Sequence, residues 1–234
     1  DGEPCLDMGL GGEIDQLRPL GVPIAVISNA SLVWQPAVAA ALRRADWVSV
    51  KVDTVDEKTW RRLNRPHRSL QLGKVLEGIR RFSAEFRGCL VSETMLVAGY
   101  NDADDQVEAT GRFLADIEVD TAYLAVPLRP PAIATALPPP AAVVTRAHQI
   151  MAQLVPKVEL LTTPEDDTFA ASGEPGEDIL AICAVHPMRE AAVRSLLAAT
   201  GAPWSVIERL VSAGLLQAVP YRDETFYVRS FAGR

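Results

Sequence analysis

The 234 residues predict an α/β fold built on a parallel sheet, followed by a small winged helix-turn-helix domain. Three observations carry that expectation. Apolar strand-like runs alternate with helical patterns up to about residue 161, an order that requires helical crossovers between parallel strands. A short acidic stretch bearing proline and glycine then breaks the pattern. After it the grammar changes to three short helices and a hairpin. At 48% hydrophobic and 23% charged residues, the composition is that of a globular chain, not a disordered or collagen-like one.

Five segments read as strands: 23–28, 47–52, 89–97, 121–126 and 158–161. Their runs are continuously apolar, as strands covered on both faces should be. Between them lie helical patterns at 9–20, 36–44, 57–63, 72–86, 104–117 and 141–154. In the fourth of these, Val75, Leu76, Ile79 and Phe82 recur at helical spacing while Lys74, Glu77, Arg80 and Arg81 take the other face. Gly21 and Gly88 stand where helices should stop. An open doubly wound sheet and a (β/α) barrel both accommodate this order. In either, ligands bind at the carboxyl ends of the strands. Those ends, Ser28-Asn29, Asp53-Thr54, residues 98–101 and 127–129, are polar or glycine-bearing. Residues 127–140 hold six of the 17 prolines and should form a stiff, extended rim.

The charge is unevenly spread. Residues 1–157 carry 17 basic and 19 acidic side chains, whereas 158–188 contain seven acids and no Lys or Arg. The net charge of −7 therefore originates in one short stretch that cannot bury enough apolar surface to order itself. Residues 163–176 read as an acidic linker between a domain of 1–162 and one of 177–234.

In the second domain, helices at 177–186, 189–199 and 203–213 precede strands at 215–219 and 225–228, the outline of a winged helix. DNA binding needs several phosphate-neutralising cations and base-reading side chains on the third helix. That helix offers Arg209 beside Glu208, and the domain has no Lys, so DNA is disfavoured. A docking module for a peptide or protein substrate fits the charge better.

Cys5, Cys89 and Cys183 are widely separated and form neither a disulfide framework nor a metal-ligand pattern, which points to a reduced, cytoplasmic setting. No run is long and apolar enough to span a bilayer, no segment has the pattern of a signal peptide, and no membrane partner is expected. His67, His148 and His186 are too dispersed for a zinc site. Arg61, Arg62, Arg65, His67 and Arg68 form a basic cluster that reads first as a solvated helix end and second as a grip for a phosphate or acidic substrate. Arg129, on the loop after a strand, is the better anion candidate, and Arg65 and Arg129 are the expected substrate-binding residues.

The order Gly2-Glu3-Pro4, then Val26-Ile27-Ser28-Asn29-Ala30-Ser31, Val50-Lys51-Val52-Asp53, Leu63-Asn64-Arg65-Pro66-His67 and Met95-Leu96-Val97-Ala98-Gly99-Tyr100-Asn101-Asp102 resembles radical S-adenosylmethionine enzymes. The likeness is greatest to the branch that includes the molybdenum-cofactor cyclase and the tRNA wyosine-forming enzyme. It extends from residue 2 to about residue 131. The resemblance implies a partial (β/α) barrel holding S-adenosylmethionine and a [4Fe–4S] cluster, with a 5′-deoxyadenosyl radical abstracting hydrogen from a substrate. By the same resemblance, Gly2, Glu3 and Pro4 bind the methionine amino group and Ser28 and Asn29 lie near the cofactor. Lys51 and Asp53 occupy the next cofactor strand, with Lys51 where the family has Ser. Glu93 and Met95 follow on the fifth family strand, and Val126 falls at an adenine contact.

That family holds its cluster with C-x-x-x-C-x-x-C, a motif that Cys5, Cys89 and Cys183 do not form. The resemblance therefore implies that the first βα unit and its cluster ligands precede residue 1, leaving an N-terminally truncated, inactive piece. A tRNA substrate, known in the family, is disfavoured by the acidic total. Two other readings compete. One is a non-catalytic regulatory or protein-binding module on a degenerate barrel. The other is a metal-free lyase, which requires Lys51 to have a lowered pKa.

Overall fold

A computed structural model describes residues 2–162 and 169–230. The chain divides into two compact units, a larger one of residues 2–127 and 136–162 and a smaller one of 163–234 together with 128–135.

The larger unit is built on five parallel strands, β1 (Ala25–Ser28), β2 (Trp47–Lys51), β3 (Cys89–Met95), β4 (Thr121–Ala125) and β5 (Val158–Leu161). They stand in the sheet in chain order, β1-β2-β3-β4-β5. A doubly wound sheet reverses its order at a switch point, so this winding is of the barrel kind. With right-handed crossovers, each connecting helix then falls on the same face. Burial agrees: Val26, Ser28, Val48, Val50, Leu90, Ser92, Ala122 and Leu124 alternate along the strands and are all buried. The other face is only partly covered. Ser49, Val91 and Thr121 are buried there, but Ile27 is 67% exposed and Lys51, Glu93, Met95 and Tyr123 are half-buried. Continuous apolar runs had suggested cover on both faces; charged Lys51 and Glu93 near the strand ends mark the face left open.

The helices are α1 (Leu10–Leu17), α2 (Pro36–Leu42), α3 (Glu57–Leu63), α4 (Leu72–Glu85), α5 (Asp104–Asp116) and α6 (Ala141–Ala152). The expected helix 9–20 is shorter, because Arg18–Leu20 tighten into a 3-10 turn around Pro19, which has no N–H to give. Helix α4 buries Leu72, Val75, Ile79 and Phe82, and Phe82 stacks on Phe86 with centroids 4.9 Å apart. Gly78 of α4 lets the Trp34 backbone approach: a Cβ there would lie 2.5 Å from Trp34 Cα. Helix α3 starts cleanly because the Asp56 carboxylate accepts the Thr59 N–H at 2.7 Å. That bond holds the Asp56 carboxyl below its ordinary pKa.

The smaller unit contains α7 (Pro175–Cys183), β6 (Met188–Arg189), α8 (Glu190–Thr200), α9 (Ser205–Ser212), β7 (Leu216–Tyr221) and β8 (Glu224–Arg229). Its antiparallel sheet has the order β6-β8-β7. Ile179, Met188, Val193, Leu196, Ile207 and Leu216 form its core. Helix α7 begins at Pro175, inside the stretch expected to be linker, because Pro is well placed in a first turn. The rest of that stretch lies partly outside the described residues. No helix among the described residues is long and apolar enough to cross a membrane.

Candidate functional site

The carboxyl ends of β1, β2 and β3 carry two polar groups. The first centres on Glu3, which caps the 3-10 turn Pro4–Leu6. Its Oε1 accepts the Cys5 N–H at 3.0 Å and the Ser28 hydroxyl at 2.7 Å, and its Oε2 accepts the Asn29 N–H at 2.6 Å. Ser28 Oγ in turn accepts the Ala30 N–H at 2.9 Å. Glu3 thus ties the opening turn to the end of β1. A carboxylate offers about four lone-pair sites, so Glu3 retains acceptor capacity for one further donor. Cys5, 5% exposed, sits beneath this group with Sγ 3.3 Å from Ser28 Oγ. Burial, reinforced by Glu3, pushes its thiol up to about 12, so it stays protonated.

The second group centres on Asp53, which is 4% exposed. Its Oδ1 accepts the Met95 N–H at 2.8 Å and lies 3.2 Å from Lys51 Nζ, while Oδ2 accepts Asn64 Nδ2 at 2.5 Å. Lys51 Nζ also donates to Glu93 Oε1 at 3.1 Å. Asn101, 2% exposed, holds the ends of β2 and β3 together where their ladder stops. Its Nδ2 donates to the carbonyls of Asp53 and Met95 at 2.7 and 2.9 Å, and its Oδ1 accepts the Val97 N–H at 2.9 Å. Burial alone would lower the Lys51 ammonium, but the Asp53 and Glu93 carboxylates outweigh it and raise its pKa above the ordinary value. Two carboxylates on one ammonium disfavour the metal-free lyase reading, which needs Lys51 to lose its proton readily.

A cavity of about 360 Å³ opens beside these groups. Asn29, Lys51 and Asp53 line it at the strand ends, Trp60 and Ile79 form part of its apolar wall, and His67 stands in its lining on the α3–α4 loop. Of the expected site residues, Glu3, Ser28 and Asn29 are therefore gathered at one strand end, and Lys51, Asp53, Glu93 and Met95 at the next two. Gly2 is exposed and Pro4 opens the 3-10 turn. Val126 is buried just past β4 and does not line the cavity. Arg65 lies on the exposed loop between the lining residues Asn64 and Pro66. Arg129 belongs to segment 128–135, which groups with the smaller unit. Sequence reasoning had quoted Asn64 and Asn101 only within motifs and gave Trp60 no role. An Asn or Trp in isolation carries no signal of what it will face.

The three thiols are not gathered. Cys5 lies at the carboxyl end of β1, Cys89 opens β3 at the opposite end of the sheet, and Cys183 is in the smaller unit. Among the described residues no three His, Cys, Asp or Glu side chains are grouped to hold a metal ion.

No protein-family model matches the chain. It is 38% identical to UPF0026 protein MJ1312 of Methanocaldococcus jannaschii over 236 aligned positions, which take in the whole chain and 74% of that relative. A UPF0026 protein of Helicobacter pylori is 36% identical over 132 residues, 56% of this chain and 42% of that protein. Among solved structures, a domain of a pyruvate-formate lyase-activating enzyme from Bacteroides vulgatus superposes with a TM-score of 0.56 at 18% identity, covering 68% of this chain and 94% of that domain. A radical SAM methyltransferase from Sphaerobacter thermophilus gives 0.50 at 19% identity, covering 60% and 40%. Streptococcus suis SuiB bound to S-adenosylmethionine gives 0.52 at 12% identity, covering 73% and 40%. At these identities the likeness is one of fold.

Proposed function

The chain belongs to the UPF0026 protein family, and we propose that its larger unit is part of a radical S-adenosylmethionine enzyme, an iron–sulfur oxidoreductase type that abstracts hydrogen from an organic substrate. The observation that carries the reading is the Glu3 carboxylate at the end of β1, oriented by Cys5, Ser28 and Asn29 and retaining acceptor capacity. The barrel-type winding and the fold likeness support it. The order of motifs favours the branch of the molybdenum-cofactor cyclase and the wyosine-forming enzyme.

The donor set fits the amino-acid end of S-adenosylmethionine. When bound, that cofactor supplies the hydrogen-abstracting chemistry. Glu3 takes the methionine ammonium, and the Ser28 hydroxyl and Asn29 N–H fix the carboxylate so that it need not reorganise. Lys51 bridges Asp53 and Glu93 and leaves the triad one negative charge. Met95, half-buried at the end of β3, supplies apolar surface for the adenine; Val126, the other expected adenine contact, is buried in the fold's core, and Gly2 and Pro4 set the turn that presents Glu3.

The thiols of this chain do not fit a [4Fe–4S] cluster, because they are dispersed and Cys5 is held protonated. The proposal therefore assigns the cluster ligands to a segment ahead of β1 in the full-length protein. Among the described residues β1 pairs only with β2, so its other edge offers a preceding parallel strand a place to pair. We read the smaller unit as a winged helix that docks a peptide or protein substrate. Its α9 carries Arg209 as its one cation, which suits DNA poorly. The domain limits 1–162, 163–176 and 177–234 and a cytoplasmic setting for the three free thiols belong to the same proposal.

The mismatch of thiols and cluster favours one alternative, a regulatory or protein-binding module on a barrel that has lost its chemistry. Anaerobic iron–sulfide reconstitution of the full-length protein separates the two. The enzyme reading expects charge-transfer absorbance and formation of 5′-deoxyadenosine on reduction; neither signal appears if the module reading holds.

A further inference from the structure

Residues 58–76 carry six cations and no acid in a chain whose net charge is −7: Lys58, Arg61, Arg62, Arg65, Arg68 and Lys74. Part of this island is committed within the fold. Arg61 pairs with Glu57 at 2.7 Å and donates to the Leu70 carbonyl at 3.0 Å. Arg62 stacks 3.9 Å over the Tyr100 ring and donates to the Gly99 carbonyl. Arg65 and Arg68 are exposed and hold no hydrogen bond or ion pair among the described residues. They flank Pro66 and His67, both of which line the 360 Å³ cavity.

Two details of the loop set it apart from an ordinary solvated helix end. His67 Nδ1 accepts the Ser69 N–H at 3.3 Å, with Ser69 Oγ 2.7 Å away. With Nδ1 accepting, the ring N–H is assigned to Nε2, which is left as a donor. Arg65 adopts φ +48°, a backbone region that non-glycine residues rarely occupy, and it does so directly before Pro66. A proline drives its predecessor toward extended conformations, so the strain is compounded. Glycine or asparagine would sit there with less strain, yet the position holds an arginine with no partner in the fold. Strain of this kind persists at ligand clamps.

We propose that the 64–68 loop is a clamp for the phosphate of a small phosphate-ester ligand, whose organic body enters the cavity toward Asn29 and Asp53. Two unpaired guanidinium forks match a phosphate dianion, and His67 Nε2 adds a further donor. The cavity is of a size to enclose one small ligand. The two cations without partners among the described residues, Arg65 and Arg68, stand on one loop beside a single pocket and not along a track, which sets the site apart from a polynucleotide groove. The substrate class so named rests on the cavity belonging to the proposed enzyme site, but the clamp itself needs neither S-adenosylmethionine nor a cluster.

Calorimetric titration of the whole chain with inorganic pyrophosphate at low salt tests the clamp. Arg65→Gly and Arg68→Ala are compared with the wild type and with Arg112→Ala, a cation of α5 paired with Glu108. The clamp predicts one site, weakened about tenfold by each loop variant and unchanged in Arg112→Ala. It also predicts that Arg65→Gly melts no lower than the wild type, since relief of strain accompanies the loss of the charge. Absence of binding, or equal affinity in all four proteins, overturns it. So does a lowered melting temperature in Arg65→Gly with normal binding in Arg68→Ala. A short single-stranded RNA binding more tightly than pyrophosphate at these same arginines would assign the island to a polynucleotide and likewise overturn it. S-adenosylmethionine titrated in parallel reports on the cofactor reading alone: lost pyrophosphate binding in both loop variants supports the clamp whether or not the cofactor binds.

Discussion

Replacing Asp53 with Asn removes one negative charge from the most buried charged group of the site while keeping its shape. Lys51 Nζ then loses the partner at 3.2 Å and keeps Glu93 at 3.1 Å, a side chain that is 31% exposed. If the new amide keeps its oxygen toward the Met95 N–H, its nitrogen faces the Asn64 Nδ2 donor that Asp53 Oδ2 now accepts. Two donors then oppose each other. Breaking a buried pair costs about 3–5 kcal/mol in full burial. Lys51 is 28% exposed and retains Glu93, which discounts that figure, whereas the unsatisfied amide adds about 1–3 kcal/mol. The expected loss is about 2–4 kcal/mol, or a fall of about 5–15 °C in the melting temperature of a chain of this size. Urea unfolding followed by tryptophan fluorescence reads it, because Trp60 lines the adjoining cavity. The double variant Lys51→Met, Asp53→Asn should recover part of the loss, since no ammonium is left short of its better-buried carboxylate and the released Glu93 is 31% exposed. A single variant within about 0.5 kcal/mol of the wild type, or a double variant with no coupling, refutes the account of Asp53 as an electrostatic hub.

Further outcomes follow from the same geometry. The Lys51 ammonium has a raised pKa in the fold, so its pairing stabilises fully below its ordinary value of 10.5 and is lost as the pH climbs through the folded-state value. Urea midpoints should therefore drop more steeply above that pH in the wild type than in Lys51→Met, and parallel curves would count against the pairing. Cys5 is buried with its thiol pushed up to about 12, whereas Cys89 is exposed. Alkylation near neutral pH, followed by mass spectrometry, should label Cys89 well before Cys5. Equal rates would mean that the turn at Glu3 is open. Gly78→Ala places a methyl 2.5 Å from Trp34 Cα and should destabilise by about 1–3 kcal/mol in the same urea assay; a neutral result would show that the Trp34 turn can move away.

Much of the architecture was legible because it rests on local pattern. The apolar runs ending at Ser28 and Lys51 and the 3.6-residue spacing of Val75, Ile79 and Phe82 are visible in any window of a few residues. The choice between barrel winding and a doubly wound sheet was not legible, since it depends on which strands become neighbours. Strand β6 was missed because Met188–Arg189 has no alternation of its own and exists only through pairing with Phe226 and Tyr227. At the site, the residues at strand ends and in the opening turn were singled out, whereas Asn64 and Asn101, which reach in from beyond those ends, were not. Asn101 closes the β2–β3 end from six residues beyond Met95, and Asn64 reaches Asp53 from the far end of α3. Neither has a spacing rule that announces it. His67 was set aside as a metal ligand and grouped with the basic cluster, while its position in the cavity lining became visible only with the folded α3–α4 loop.

The most direct test of the central claim is equilibrium binding of S-adenosylmethionine to the wild-type protein and to Glu3→Gln. The glutamine keeps an oxygen to accept the Cys5 and Ser28 donors but loses the charge that would meet an ammonium. A cradle for the methionine end predicts measurable binding that weakens about tenfold or more in Glu3→Gln. Equal affinity in the two proteins, or no binding to the wild type, would contradict it.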